Sequence, residues 1–131
     1  MDDDRDFRES LSAFLTASGL RVIEASDGRE ALRVAMSERP EVIVMDIMMN
    51  ERTEGLFTLQ AIRRTPELQE TPVIVVSSLY SDVRTFSVSP ERAWMGQDEF
   101  FPKPVDMPGL AEAIHAFVAR RAGQQAAPER R

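Results

Sequence analysis

The chain contains no cysteine among its 131 residues, which excludes disulfides and thiolate metal sites and suits a reducing compartment. It has a single histidine, His115, and one imidazole without a partner argues against a histidine metal centre or triad catalysis. No apolar run approaches the ~20 residues needed to span a bilayer, and the acidic start, Asp2-Asp3-Asp4, is unlike a signal peptide. Basic charge is short: 16 Lys and Arg against 22 Asp and Glu leave a net charge of −6, the wrong sign for tracking nucleic-acid phosphates. There is no internal repeat and no sign of a second domain or output module. Hydrophobic content of 43% with 29% charged residues then predicts one soluble, cytoplasmic domain with a single core.

Three apolar runs each end on a residue able to handle a phosphoryl group. Val42-Ile43-Val44-Met45 runs into Asp46, Val73-Ile74-Val75-Val76 into Ser77 and Ser78, and Phe100-Phe101-Pro102 into Lys103-Pro104. Parallel strands bring their carboxyl ends to one edge of the sheet, where residues distant in sequence meet. A carboxylate that attacks phosphorus must approach other negative oxygens, so such a site needs compensating cations. Lys103 offers a point charge on a backbone that Pro104 restricts, and Mg²⁺ suits a few carboxylates with water and phosphate. Taken singly, Asp46 reads as a turn residue, Asp2 to Asp4 as a solvated acidic end, and Ser77 and Lys103 as ordinary residues. Their order and spacing give them weight.

The periodicity predicts alternating helices and strands. Phe7, Leu11, Phe14 and Leu15 form a helical stripe that Gly19 closes. Residues 20–25 read as a short strand, Ser26-Asp27-Gly28 as a turn, and Ala31, Leu32, Val34 and Ala35 as a helix ending before Pro40. Residues 42–45 are apolar throughout and read as a strand buried on both faces. Leu56, Leu59 and Ile62 mark a helix that Thr65-Pro66 ends, and residues 73–76 are the next strand. Ser89-Pro90-Glu91 predicts a short helix inside a long irregular stretch, with Tyr80 and Trp94 covering the core there. A last strand at 99–102 and an amphipathic helix at 110–121, with His115 beside its apolar stripe, complete the domain at residues 1–121. Residues 122–131 read as a flexible tail. This alternation indicates a parallel α/β sheet covered by helices on both faces.

Asp2-Asp3 before a helix ending at Gly19, PEVIVMDIMM, TPVIVVSS and DEFFPKPVD occur in order at near-family spacing, and the chain resembles the receiver domain of bacterial two-component response regulators. The resemblance implies a flavodoxin-like doubly wound parallel α/β sheet in strand order 2-1-3-4-5, here with the first strand missing or truncated, and Asp46 as phosphoacceptor. It implies Mg²⁺ held by Asp2, Asp3, Asp46 and the backbone carbonyl of Met48. It makes Ser77 the hydroxyl that bonds the phosphoryl group, Lys103 the site lysine and Phe100 the aromatic switch. Its partners would be a histidine kinase or histidine phosphotransfer protein upstream and an unidentified protein, or a second copy, downstream. It implies no enzyme activity beyond self-phosphorylation and dephosphorylation, while the acidic charge and the lack of a long apolar run argue against nucleic-acid and membrane partners.

The sequence departs from that pattern in places. Family members carry an apolar strand before the acidic pair, and here Met1 alone precedes Asp2. Missing a central strand opens a gap of about 10 Å and leaves ladder groups unpaired. A start assigned too late or a truncation is the reading favoured over a strand-less receiver that pairs differently or borrows a strand from another chain. The acidic pair is then expected on a loose end beside an α-amino group titrating near ~8, with weak Mg²⁺ binding. Asn50 stands where the family has proline, and the stretch from Ser78 to Lys103 is long and holds Pro90, which predicts a remodelled partner face. Apolar Met48 and Leu79 flank the site and predict slow autodephosphorylation. The rival readings are a degenerate receiver that only binds protein and an aspartyl-phosphate phosphatase, whose usual second aspartate is replaced by Met48.

Overall fold

The computed structural model describes residues 1–47, 54–77 and 97–126. Helix α1 (Arg5–Ala17) starts because the Asp4 carboxylate accepts from the Phe7 amide at 3.2 Å, satisfying a first-turn donor. It ends at Ser18, after which Gly19 turns the chain at φ 91°, a conformation that favours glycine. Helix α2 (Gly28–Glu38) is capped the same way by Asp27, which accepts from the Glu30 amide at 2.8 Å. It stops at Arg39, in the left-handed region, just ahead of Pro40. The chain continues through β1 (Ile43–Met45), α3 (Glu54–Arg64), a 3-10 turn at Pro66–Leu68, β2 (Val73–Ser77), β3 (Glu99–Pro102) and α4 (Met107–Ala126). No described helix is long and apolar enough to cross a membrane.

Among the described residues, three strands form one parallel sheet in the order β1-β2-β3, with Met45 opposite Val75 and Ser77 opposite Pro102. Every residue of β2 is buried, and its side chains alternate between two apolar layers. Val73 and Val75 join Met45, Ile47, Leu59, Ile62 and Leu68 on the side of α2 and α3. Ile74 and Val76 join Leu11, Leu15, Leu110 and Ile114 on the side of α1 and α4. Helices thus cover both faces, as a doubly wound α/β fold requires. The amino edge is pinned by Asp98, which accepts from the Val73 amide at 2.8 Å and pairs with Arg63 at 2.7 Å.

Three expectations are corrected. Residues 20–25 are not a strand. A strand exists through its ladder, and among the described residues the backbone bond from this segment toward the sheet is the Asp2 amide donating to the Ala25 carbonyl at 3.2 Å. Between this segment and β1 runs a groove of about 510 Å³ lined by Leu11, Leu15, Val22, Val44, Ile114 and Val118 among others. Met1 and Asp2 close one end: the Met1 amine donates to the Val44 carbonyl, and the Asp46 amide donates to the Met1 carbonyl at 3.0 Å. The same groove leaves Val42, Ile43 and Val44 only half-buried, where burial on both faces was expected. Helix α4 also runs on to Ala126, past the expected end at Arg121. The expected helix at Ser89-Pro90, with Tyr80 and Trp94, lies outside the described residues.

Candidate functional site

Strand β1 ends at Met45, and Asp46 is the first residue past it, buried with 6% of its surface exposed. Gly55, near the start of α3, presses on this point from the other side. Its amide donates to the Ile47 carbonyl at 3.1 Å, and a side chain there would run into the Asp46 carbonyl and the Ile47 backbone. Ser77 closes the neighbouring strand, fully buried, and its carbonyl accepts from the Lys103 amide at 3.2 Å. Lys103 follows Pro102, which pairs with Ser77, so the sheet register carries the lysine to the same edge. The Lys103–Pro104 peptide bond is cis.

The Lys103 ammonium donates to Asp46 Oδ2 and to Asp2 Oδ2, each at 3.0 Å. Burial works against its charge, but the bonds and charges of Asp2 and Asp46 outweigh burial and raise its pKa above the ordinary lysine value. Asp2 is not on a loose end, contrary to expectation. It is 4% exposed; its carbonyl accepts from Arg8 Nη1 at 2.9 Å and its Oδ1 from the Asp4 amide at 2.9 Å. Nor does the Met1 amine keep its ordinary behaviour: desolvation lowers its pKa from 8.0 to about 6 although Asp2 pulls the other way. At neutral pH it is therefore mostly uncharged.

Carboxylate oxygens of Asp2, Asp3 and Asp46 lie within 4.8 Å of one another. Three hard oxygen donors converging at a sheet edge fit Mg²⁺ in kind, since that ion prefers a few carboxylates and keeps other positions for water and phosphate. Phe100 lies on β3, half-buried against the α2 and α3 layer. His115 is exposed, with Nε2 3.1 Å from the Ser18 carbonyl. Met48, Asn50, Ser78 and Leu79 fall outside the described residues. Two participants escaped the sequence reading. Arg8 holds the Asp2 carbonyl, and the Phe7 ring lies 4.2 Å from the Lys103 ammonium. Both sit on the first turns of α1, directly after the acidic pair, which is the one signal that pointed at them.

A doubly wound parallel sheet with carboxylates and one lysine gathered at its carboxyl edge defines a class, the receiver-type α/β domains of two-component signalling. The chain belongs to the response regulator receiver domain family, whose model matches residues 1–115. It is 35% identical over 131 residues to the response regulator MprA of Mycolicibacterium vanbaalenii, covering 98% of this chain and 53% of that one. It is equally identical over 129 residues to MprA of Mycobacterium leprae, with 97% and 53% covered. The chain spans about half the length of these curated relatives. Among solved structures, the receiver domain of the Francisella response regulator 1452 matches with a TM-score of 0.74 at 25% identity, over 92% of this chain and 93% of that one. The chemotaxis response regulator CheY4 of Vibrio cholerae matches with a TM-score of 0.73 at 28% identity, over 88% and 92%.

Proposed function

We propose that the domain accepts a phosphoryl group on Asp46 from a histidine kinase or histidine phosphotransfer protein in the cytosol and passes the signal on through an altered binding surface. An Asp46 oxygen forms the bond to phosphorus as the bond to the donor's imidazole nitrogen breaks, the electron pair leaving with the nitrogen. Asp2, Asp3 and Asp46, with the Met48 carbonyl, would hold Mg²⁺. The ion supplies charge neutralisation for the phosphoryl oxygens when bound. Lys103 adds fixed positive charge at the same edge, and the Ser77 hydroxyl is the donor for a phosphoryl oxygen. Drawing Ser77 toward that oxygen makes room that Phe100 fills, a two-state element for a partner to read. The observation that supports this reading best is the Lys103 ammonium at 3.0 Å from both Asp2 and Asp46.

The test is incubation with Mg²⁺ and acetyl phosphate, followed by intact mass. One added phosphoryl group, absent in Asp46→Asn, is the expected result. An unlabelled wild-type chain would instead mark a protein-binding module that no longer takes phosphate.

A further inference from the structure

Among the described residues, the Lys103 ammonium has two carboxylate partners and one partner that is neither charged nor titratable. Its two hydrogen bonds go to Asp2 and Asp46, and the Phe7 ring stands 4.2 Å away, over the nitrogen. The Lys103 side chain is only 22% exposed, so this contact is largely shielded from water, where a cation over an aromatic face gains most. The backbone at Phe7 is tied to the Asp4 cap, and its side chain packs, partly buried, against the apolar layer that holds Leu11, Leu15, Leu110 and Ile114. A lysine stem is long and flexible, and it points its charge reliably only where its surroundings limit it.

On the reading of Asp46 as phosphoacceptor, both carboxylates acquire competing duties. A divalent cation would draw on Asp2 and Asp46, and the phosphoryl group would take up an Asp46 oxygen. The ring is the partner that neither event removes. We propose that Phe7 is a positioning residue for phosphoryl transfer: its face holds the Lys103 ammonium beside Asp46 while the carboxylates are engaged elsewhere. The role rests on the proposed phosphoacceptor function and adds to it a residue from the helix that the acidic pair leads into.

Two readouts on the full chain test this. Lys103 is the only lysine in the sequence, so its ε-methylene gives a unique signal in a carbon–proton correlation spectrum. In metal-free wild-type protein that signal should be displaced upfield by the Phe7 ring current. The displacement should survive Phe7→Tyr and vanish in Phe7→Leu and Phe7→Met, which keep apolar bulk without a ring. With Mg²⁺ and saturating acetyl phosphate, the two ringless variants should phosphorylate roughly three- to tenfold more slowly. Their half-saturating acetyl phosphate concentration should be unchanged, and Phe7→Tyr should stay within about twofold of wild type. A ringless variant labelled at the wild-type rate, or Phe7→Tyr as slow as Phe7→Leu, overturns the inference while the phosphoacceptor reading stands. A wild-type chain that takes no label overturns that reading, and the inference falls with it.

Discussion

Lys103 neutralises two carboxylates that would otherwise face each other with their side chains 6% and 7% exposed. Removing the ammonium takes a cation away from a mostly buried like-charge pair, so Lys103→Met should destabilise the metal-free chain by roughly 2–3 kcal/mol at neutral pH. Millimolar Mg²⁺ should restore most of that loss, which urea denaturation with and without the ion will read; a variant as stable as wild type would contradict it. The Met1 amine carries a second prediction. Its folded pKa of about 6 lies below the ordinary 8.0, so between those values the unfolded chain binds more protons than the folded one. Stability should therefore rise with pH across that window, on the order of 2 kcal/mol in total, and lie flat on either side as far as this group is concerned. Acetylating the amine leaves an N–H for the Val44 carbonyl and removes the charge; denaturation midpoints from pH 5.5 to 8.5 should then lose the slope.

The end of α1 and both ends of α2 were legible because their causes are local, whereas α4 begins before and ends after the expected 110–121. Gly19, Asp27 and Pro40 act on their own turns, and the structure closes α1 at Gly19 and runs α2 between Asp27 and Pro40. Residues 20–25 were not legible, since the same β-branched sequence becomes a strand only when a neighbour completes the ladder. The convergence of Asp46, Ser77 and Lys103 could be anticipated because each ends an apolar run, and parallel strands share an edge. The Phe7–Lys103 contact could not, as it depends on how α1 docks. Gly55 shows the same limit, since nothing local announces that α3 approaches the Asp46 backbone this closely. A methyl group there has to push α3 from β1 or shift Asp46. Gly55→Ala should cost roughly 1–3 kcal/mol by thermal denaturation and slow labelling of Asp46. Gln60→Ala, at an exposed position of the same helix, should do neither.

The molecule as a whole is built around a sheet whose fully buried strand, β2, lies next to a half-open one, β1. In a parallel ladder successive residues bond to opposite neighbours, and the Ile43 amide donates to Pro72 on the β2 side. Val42 and Val44 therefore turn their amides and carbonyls toward the groove, where the Met1 amine already takes the Val44 carbonyl. Met1 packs on the α2 and α3 layer, so a residue joined ahead of it would face Leu11, Leu15 and Ile114, and the next would face Ala35 and Ile62. Both sides are apolar, which asks for an unbroken apolar strand. Four Val or Ile residues attached to Met1 would each gain about 1.5–3 kcal/mol on burial and lose about 2 kcal/mol of backbone and side-chain freedom. The net gain is a few kcal/mol once the ladder bonds to Val42, Val44 and residues 20–25 are added. Such an extension should raise the melting temperature by roughly 5–15 °C and slow amide exchange across residues 20–25. A Gly-Ser extension of equal length should leave both unchanged, and equal effects from the two extensions would show that the groove does not accept a strand.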